Sequence, residues 1–156
     1  MIPHFVKEYS SLFHSAQFNL TEDQMNILGN GLERNENNKI NSIEIIKNSP
    51  IEITWRHKQQ VEKVRLIFDS NFSDKKHIPC TFFKNMEPSF LHPHLPKNII
   101  IKFLNEQNQW ENHSEVNDNY RRYLEIPIDK DTLGLQICIT DTWGSEIIKV
   151  FTIEPI

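Results

Sequence analysis

Apolar and polar positions alternate with a period of two over much of this chain. Ile51, Ile53, Trp55 and His57 interleave with Glu52, Thr54 and Arg56. Val64, Leu66 and Phe68 interleave with Lys63, Arg65 and Ile67. Successive strand side chains point to opposite faces, so each run predicts a half-buried strand. The short link Lys58-Gln59-Gln60 predicts a hairpin between them. Further strands are predicted over 98–104, 110–116, 120–126, 133–140 and 146–153. Asn105-Glu106-Gln107-Asn108, Asn117-Asp118-Asn119, Asp129-Lys130-Asp131 and Trp143-Gly144-Ser145 mark the turns between them, because Asn, Asp and Gly tolerate turn geometry. Short strands at this spacing predict an all-β antiparallel sandwich, a jelly roll.

The first 24 residues follow another period. Phe5, Tyr9, Leu12, Phe13 and Ala16 recur at helical spacing and predict a short amphipathic helix over 5–16. Thr21 is placed to cap one more turn. Residues 1–24 thus read as an arm that covers a sheet edge, or as a linker, and residues 25–156 as the sandwich domain. Asn30-Gly31 and Asn35-Glu36-Asn37-Asn38 mark turns at its entry. Residues 70–97 carry Pro79, Pro88, Pro93 and Pro96 and read as a long Phe-rich loop.

The chain has 156 residues, one ordinary domain with enough length to bury a core without staples. Its net charge of −4 lacks the basic footprint of a general nucleic-acid or anionic-membrane binder. No apolar run approaches the roughly 18 residues of a membrane span. The N-terminus shows no signal-peptide pattern, so a complete chain would be cytoplasmic. Cys80 and Cys138 are too far apart for a CxxC site, and Cys138 reads as a small strand residue.

Candidate chemistry is sparse. With 4 glycines the chain holds no phosphate-cradling loop, and it has no G-x-S-x-G elbow. No bound cofactor is therefore expected in this chain. His92-Pro93-His94 has no further ligand at metal spacing, so no metal site is assigned. Asp69 and Asp141 read as turn caps rather than a catalytic pair. The richest cluster is Trp110, Tyr120, Arg121, Arg122, Tyr123 and Trp143. On a strand, Tyr120 and Arg122 would share one face, Arg121 and Tyr123 the other. Exposed aromatics beside arginine stack on a sugar or another flat ligand. The alternative is a core tryptophan with an arginine tying strands together, its charge satisfied by a carboxylate or carbonyls.

The order of these pieces resembles a known domain. Asn26-Ile27-Leu28, Asn30-Gly31 and Arg34 are followed by the Pro-led strand Pro50-Ile51-Glu52-Ile53-Thr54-Trp55 and by the V-x-x-V-R-L-I-F-D-S run that ends at Ser70. Pro96-Lys97, Trp110, Asn119-Tyr120-Arg121-Arg122, Thr142-Trp143-Gly144 and Ile148-Lys149-Val150-Phe151 complete the series. Over residues 25–156 this resembles the C-terminal β-sandwich domain of a family of bacterial FAD-dependent oxidoreductases, one of the discoidin-like, galactose-binding-like sandwiches. The resemblance implies a non-catalytic accessory domain that packs on or beside an upstream flavoenzyme domain. The flavin of such enzymes sits in that upstream domain, so no catalytic residue carries over. Discoidin-like relatives often hold calcium beside an N-D-G turn. Here Asn30 stands in place of the Asp and Thr152 near the position of a Glu. The other reading is a stand-alone carbohydrate-binding module that uses Trp110, Tyr120, Arg121 and Trp143 at one rim, with a glycan as partner. An enzyme on a jelly roll would need a carboxylate pair that the sequence does not identify.

Overall fold

The computed structural model describes residues 8–32, 41–69 and 93–156. In chain order its elements are α1 (Ser11–Ser15), β1 (Gln17–Phe18), α2 (Glu22–Leu28), β2 (Ile43–Ile46), β3 (Ile51–Phe68), β4 (Pro96–Leu104), β5 (Trp110–Val116), β6 (Tyr123–Thr142) and β7 (Ile147–Pro155). All strand pairs are antiparallel, in the order β2-β7-β3-β6-β4-β5, with β1 on β3. The all-β sandwich expected from the alternation is the fold observed. Among the described residues no helix is long and apolar enough to cross a membrane.

Two expected turns are absent. Lys58-Gln59-Gln60 does not close a hairpin; the chain runs on as the single strand β3. The link holds no Gly, Asn or Asp to adopt the left-handed turn geometry, so extended backbone persists. The irregularity is taken up in the register instead. Thr54 pairs with Gly134 and Gln59 with Thr132, so the intervening segment of β3 bulges away from its partner. Asp129 does adopt a positive φ of 51°, but within β6 rather than at its end. A bulge bends a strand, and here it lets β3 and β6 each pass through both layers. Asn108 (φ 58°) and Asp118 (φ 51°) do lie in turns, as read.

Both halves of the bent β3–β6 pair contribute to one core. Ile51, Ile53, Leu135 and Ile137 from the first meet Val64, Leu66, Phe68 and Ile126 from the second, joined by Ile99 and Ile101 of β4 and Ile148 and Val150 of β7. A fully buried side chain of this kind contributes about 1.5–3 kcal/mol, so this cluster holds the layers together. The alternation breaks over Val64–Phe68, where Arg65 and Ile67 are buried too. Arg65 is tied there to Glu154 of β7 at 2.9 Å.

The N-terminal arm folds as two short helices around a two-residue strand. The helix expected over 5–16 is confined, in the described part, to Ser11–Ser15, with Ser10 as its N-cap. Thr21 caps α2 through a full capping box with Gln24, so the expected 24/25 boundary falls inside that helix. β1 covers the edge of β3, pairing Gln17 with Thr54. Tyr9, Phe13 and Phe18 join the core, and Ser10 donates its backbone N–H to Glu154 at 2.8 Å. The Asn35–Asn38 turn, His77, Cys80, His92 and most of the proline-rich 70–97 segment lie outside the described residues.

Candidate functional site

The loop that joins β5 to β6 is built around Asn119. Its side-chain amide donates to the carbonyls of Pro96 at 2.9 Å and Arg121 at 3.0 Å. Its side-chain oxygen accepts from the Arg121 N–H at 3.0 Å, an Asx-type turn. Its own backbone N–H donates to Lys97 O at 2.9 Å. Asn119 is buried and every polar group it brings is used. This knot takes residues 120–122 out of the strand, and β6 begins only at Tyr123. The two-faced alternation expected from Tyr120 to Tyr123 therefore does not hold.

Trp143, in the turn after β6, closes the same knot. Its indole N–H donates to Asn119 O at 2.6 Å, and its backbone N–H donates to Leu95 O at 3.3 Å. The ring packs partly against the core, and the Lys97 ammonium lies 4.9 Å from its centroid. Trp143 is thus a half-buried support under the rim. Tyr120, on the far side of the same peptide, is 65% exposed. The Arg121 guanidinium lies 5.8 Å from the Tyr120 ring and is itself exposed. An exposed phenol ring, a guanidinium and an ammonium on a hydrogen-bonded frame can stack on an apolar sugar face and donate to hydroxyls.

The other two candidates lie elsewhere. Arg122 turns onto buried Phe151, its guanidinium 5.5 Å from that ring, and its carbonyl accepts from Phe68 N–H at 2.9 Å. It is a packing residue of the β3–β6–β7 layer. Trp110 opens β5 opposite Leu104, whereas the knot lies beside Pro96 at the other end of β4. At about 3.3 Å per residue the two tryptophans are separated by roughly 25 Å of strand. The expected six-residue cluster thus resolves into a rim pair, Tyr120 and Arg121, supported by Trp143, with Arg122 and Trp110 outside it and Tyr123 bonded along β6 to Glu125. Trp110 instead lies on the outer face of the sheet, its Cη2 in tight approach to Gly134.

Sequence reading did not select Lys97 or Asn119. Asn119 carried a signal as the last residue of an Asn-Asp-Asn turn, but its role depends on Pro96 and Lys97, distant in sequence. Asp141 keeps the local role expected of it and accepts from Thr142 N–H at 2.9 Å. The turn after Asp69 lies outside the described residues. Two residues stand where the resemblance puts calcium ligands. Asn30 Oδ1 accepts from Leu32 N–H at 2.8 Å, and the buried Thr152 hydroxyl is bonded to that of Tyr9 at 3.3 Å. Neither supplies a carboxylate.

No protein-family model matches the chain, and no curated protein does. Solved structures match its fold. The family 32 carbohydrate-binding module of Streptococcus pneumoniae EndoD is 13% identical with a TM-score of 0.58, over 90% of this chain and 91% of that one. A family 32 module of a family 31 glycoside hydrolase, solved bound to N-acetylgalactosamine, is 8% identical with a TM-score of 0.65, over 90% and 95%. A chitosan-binding module from a Paenibacillus chitosanase/glucanase is 10% identical with a TM-score of 0.54, over 90% and 92%. The chain shares with these modules the fold of an antiparallel β-sandwich.

Proposed function

We propose that this domain is a non-catalytic carbohydrate-binding module whose rim at Tyr120, Arg121 and Lys97 receives a sugar. The observation that carries the reading is Tyr120. A tyrosine 65% exposed, beside a guanidinium and on a loop fixed by Asn119 and Trp143, presents a rigid aromatic face at little entropic cost. Solved structures of the same fold include carbohydrate-binding modules, which supports the same conclusion. Fold alone does not transfer a ligand, so the rim has to carry the argument. The association with a flavoenzyme keeps only the sequence resemblance behind it, and the carbohydrate-binding alternative is the better supported of the two.

Glycan-array binding by the wild-type chain and by Tyr120→Ala tests the reading. The expected result is a defined set of glycans bound by wild type and lost in Tyr120→Ala, with thermal stability nearly unchanged because the side chain is exposed. Arg121→Ala is expected to behave in the same way. Arg122→Ala is expected to lower stability instead, since it strips the cover from Phe151. Glycan binding indifferent to both Tyr120 and Arg121 would remove the rim from the mechanism.

A further inference from the structure

The bulge in β3 has an opening of its own. A cleft of about 440 Å³ is lined there by Ser15, Gln17, Thr54, Arg56, His57 and Gln59, with Trp55 at its wall. It lies along the β1–β3 edge, in the half of the sheet where β4 ends and Trp110 begins β5. Trp110 Cη2 and Thr54 Cγ2 both crowd the same point above Gly134, but Trp110 does not itself line the cleft. Every lining residue other than Trp55 carries a hydrogen-bonding side chain, and the Trp55 N–H is spent on Leu12 O at 2.9 Å.

Charge at the cleft is of one sign. No Asp or Glu lines it. Among the described residues, Arg56 and His57 have no ion pair or side-chain hydrogen bond. The next cation, Lys58, is paired with Glu106 at 3.3 Å. In a chain of net charge −4 this is a local exception. An uncommitted guanidinium recognises a carboxylate or a sulfate ester through paired N–H donors. Ser15, Thr54 and Gln59 each donate to a backbone carbonyl, which leaves their side-chain oxygens, the second Gln59 N–H and the Gln17 amide to meet sugar hydroxyls.

We infer that this cleft is a second saccharide site, separate from the rim, and that it takes a negatively charged sugar unit through Arg56. It goes beyond the rim reading and stands or falls without it. A domain with two such sites at separate places would hold a polysaccharide at two points, with the gain in avidity that follows.

The test is an amide NMR titration of the full chain with galacturonate, galactose 6-sulfate and neutral galactose, with acetate as a simple anion control. The charged sugars are expected to move the amides of residues 15–17 and 54–59. Whichever binds more tightly identifies the charged group as carboxylate or sulfate. Arg56→Ala is expected to weaken that binding about tenfold or more, the scale of one lost charge-assisted contact, and Tyr120→Ala to leave it unchanged. Arg56 is exposed, so the variant's unshifted spectrum elsewhere checks its fold. Gln59→Ala gives an independent second reading and is expected to weaken binding as well. Shifts confined to the rim, equal shifts from neutral galactose or acetate, or full affinity in Arg56→Ala would each overturn the assignment. Failure of glycan binding at the rim alone would leave these cleft shifts in place, so the two readings fail separately.

Discussion

The indole N–H of Trp143 donates to the backbone carbonyl of Asn119, joining the turn after β6 to the loop before it. Neither residue is close to the other in sequence, yet each is incomplete alone. Asn119 orders the loop through Pro96, Lys97 and Arg121, and Trp143 caps its remaining carbonyl. Asn119→Ala removes three side-chain hydrogen bonds and leaves the buried carbonyl of Pro96 without its donor. At about 1 kcal/mol per bond, with a further penalty for the orphaned group, the expected loss is about 2–4 kcal/mol. Urea melts measure it. Because Tyr120 and Arg121 hang from this frame, the same variant is expected to lose rim binding even at temperatures where it stays folded.

Arg65 and Glu154 form a buried pair, with side chains only 5% and 3% exposed. Glu154 also accepts from Ser10 N–H, so the arm is tied to the sandwich through the same carboxylate. Removing one partner strands the other in a low-dielectric site. Glu154→Leu is expected to cost about 3–5 kcal/mol, whereas Arg65→Met with Glu154→Leu recovers much of that loss. Chemical melts of the three variants decide. A single variant as stable as wild type would mean that the pair contributes no net stability.

Tyr123 donates its hydroxyl to Glu125 at 2.6 Å, and Lys63 donates to the same carboxylate at 3.1 Å. These bonds, the tyrosine's first, hold the Glu125 carboxyl below its ordinary value of 4.5. The sign follows from proton binding. A folded-state pKa below the unfolded one makes the contribution present above about pH 4.5 and lost as pH falls through the lower folded value. The bond to Glu125 also raises the Tyr123 phenol, whose contribution is present below pH 10 and lost at higher pH. Tyr123→Phe is expected to move the Glu125 carboxyl back up toward 4.5, read from its carboxyl NMR shift against pH. An unchanged titration would show that Lys63 alone sets it.

Sequence periodicity made the sandwich and most strand positions legible, because burial on one face of a strand leaves a two-residue rhythm. It could not show that β3 and β6 are each one bent strand. A bulge and a hairpin differ in which residues pair, and pairing is not written in the alternation. The polar stretch Arg56 to Gln60 looks the same in both. The rim was legible as composition but not as geometry. Tyr120, Arg121 and Trp143 were picked as exposed-ligand types, while Trp110 was grouped with them because nothing in the chain says at which end of β4 its strand begins. Arg122 differs from Arg121 only in what it faces, and Phe151 is far along the chain. The β3 cleft was invisible for the same reason: Ser15 and Gln17 reach it through the pairing of β1 with Thr54.

Gly134 is where the outer face is tightest. A Cβ there would meet Ile53 O at 3.1 Å, Trp110 Cη2 at 3.2 Å and Thr54 Cγ2 at 3.3 Å. Its backbone has no positive φ, so the need for glycine is one of space. Ile53 O is paired-strand backbone near the start of β3 and yields little. The Trp110 ring is a partly exposed side chain and yields more. Gly134→Ala is therefore expected to lift the indole from the sheet and to cost about 1–3 kcal/mol, the range for overpacking. Two readouts separate the effects. Urea melts give the stability loss, and Trp110 emission is expected to shift toward longer wavelength as the ring enters water, a change isolated with a Trp110→Phe reference. A variant of full stability with unshifted emission would show that the sheet relaxes around the added methyl and that Trp110 is not held by Gly134.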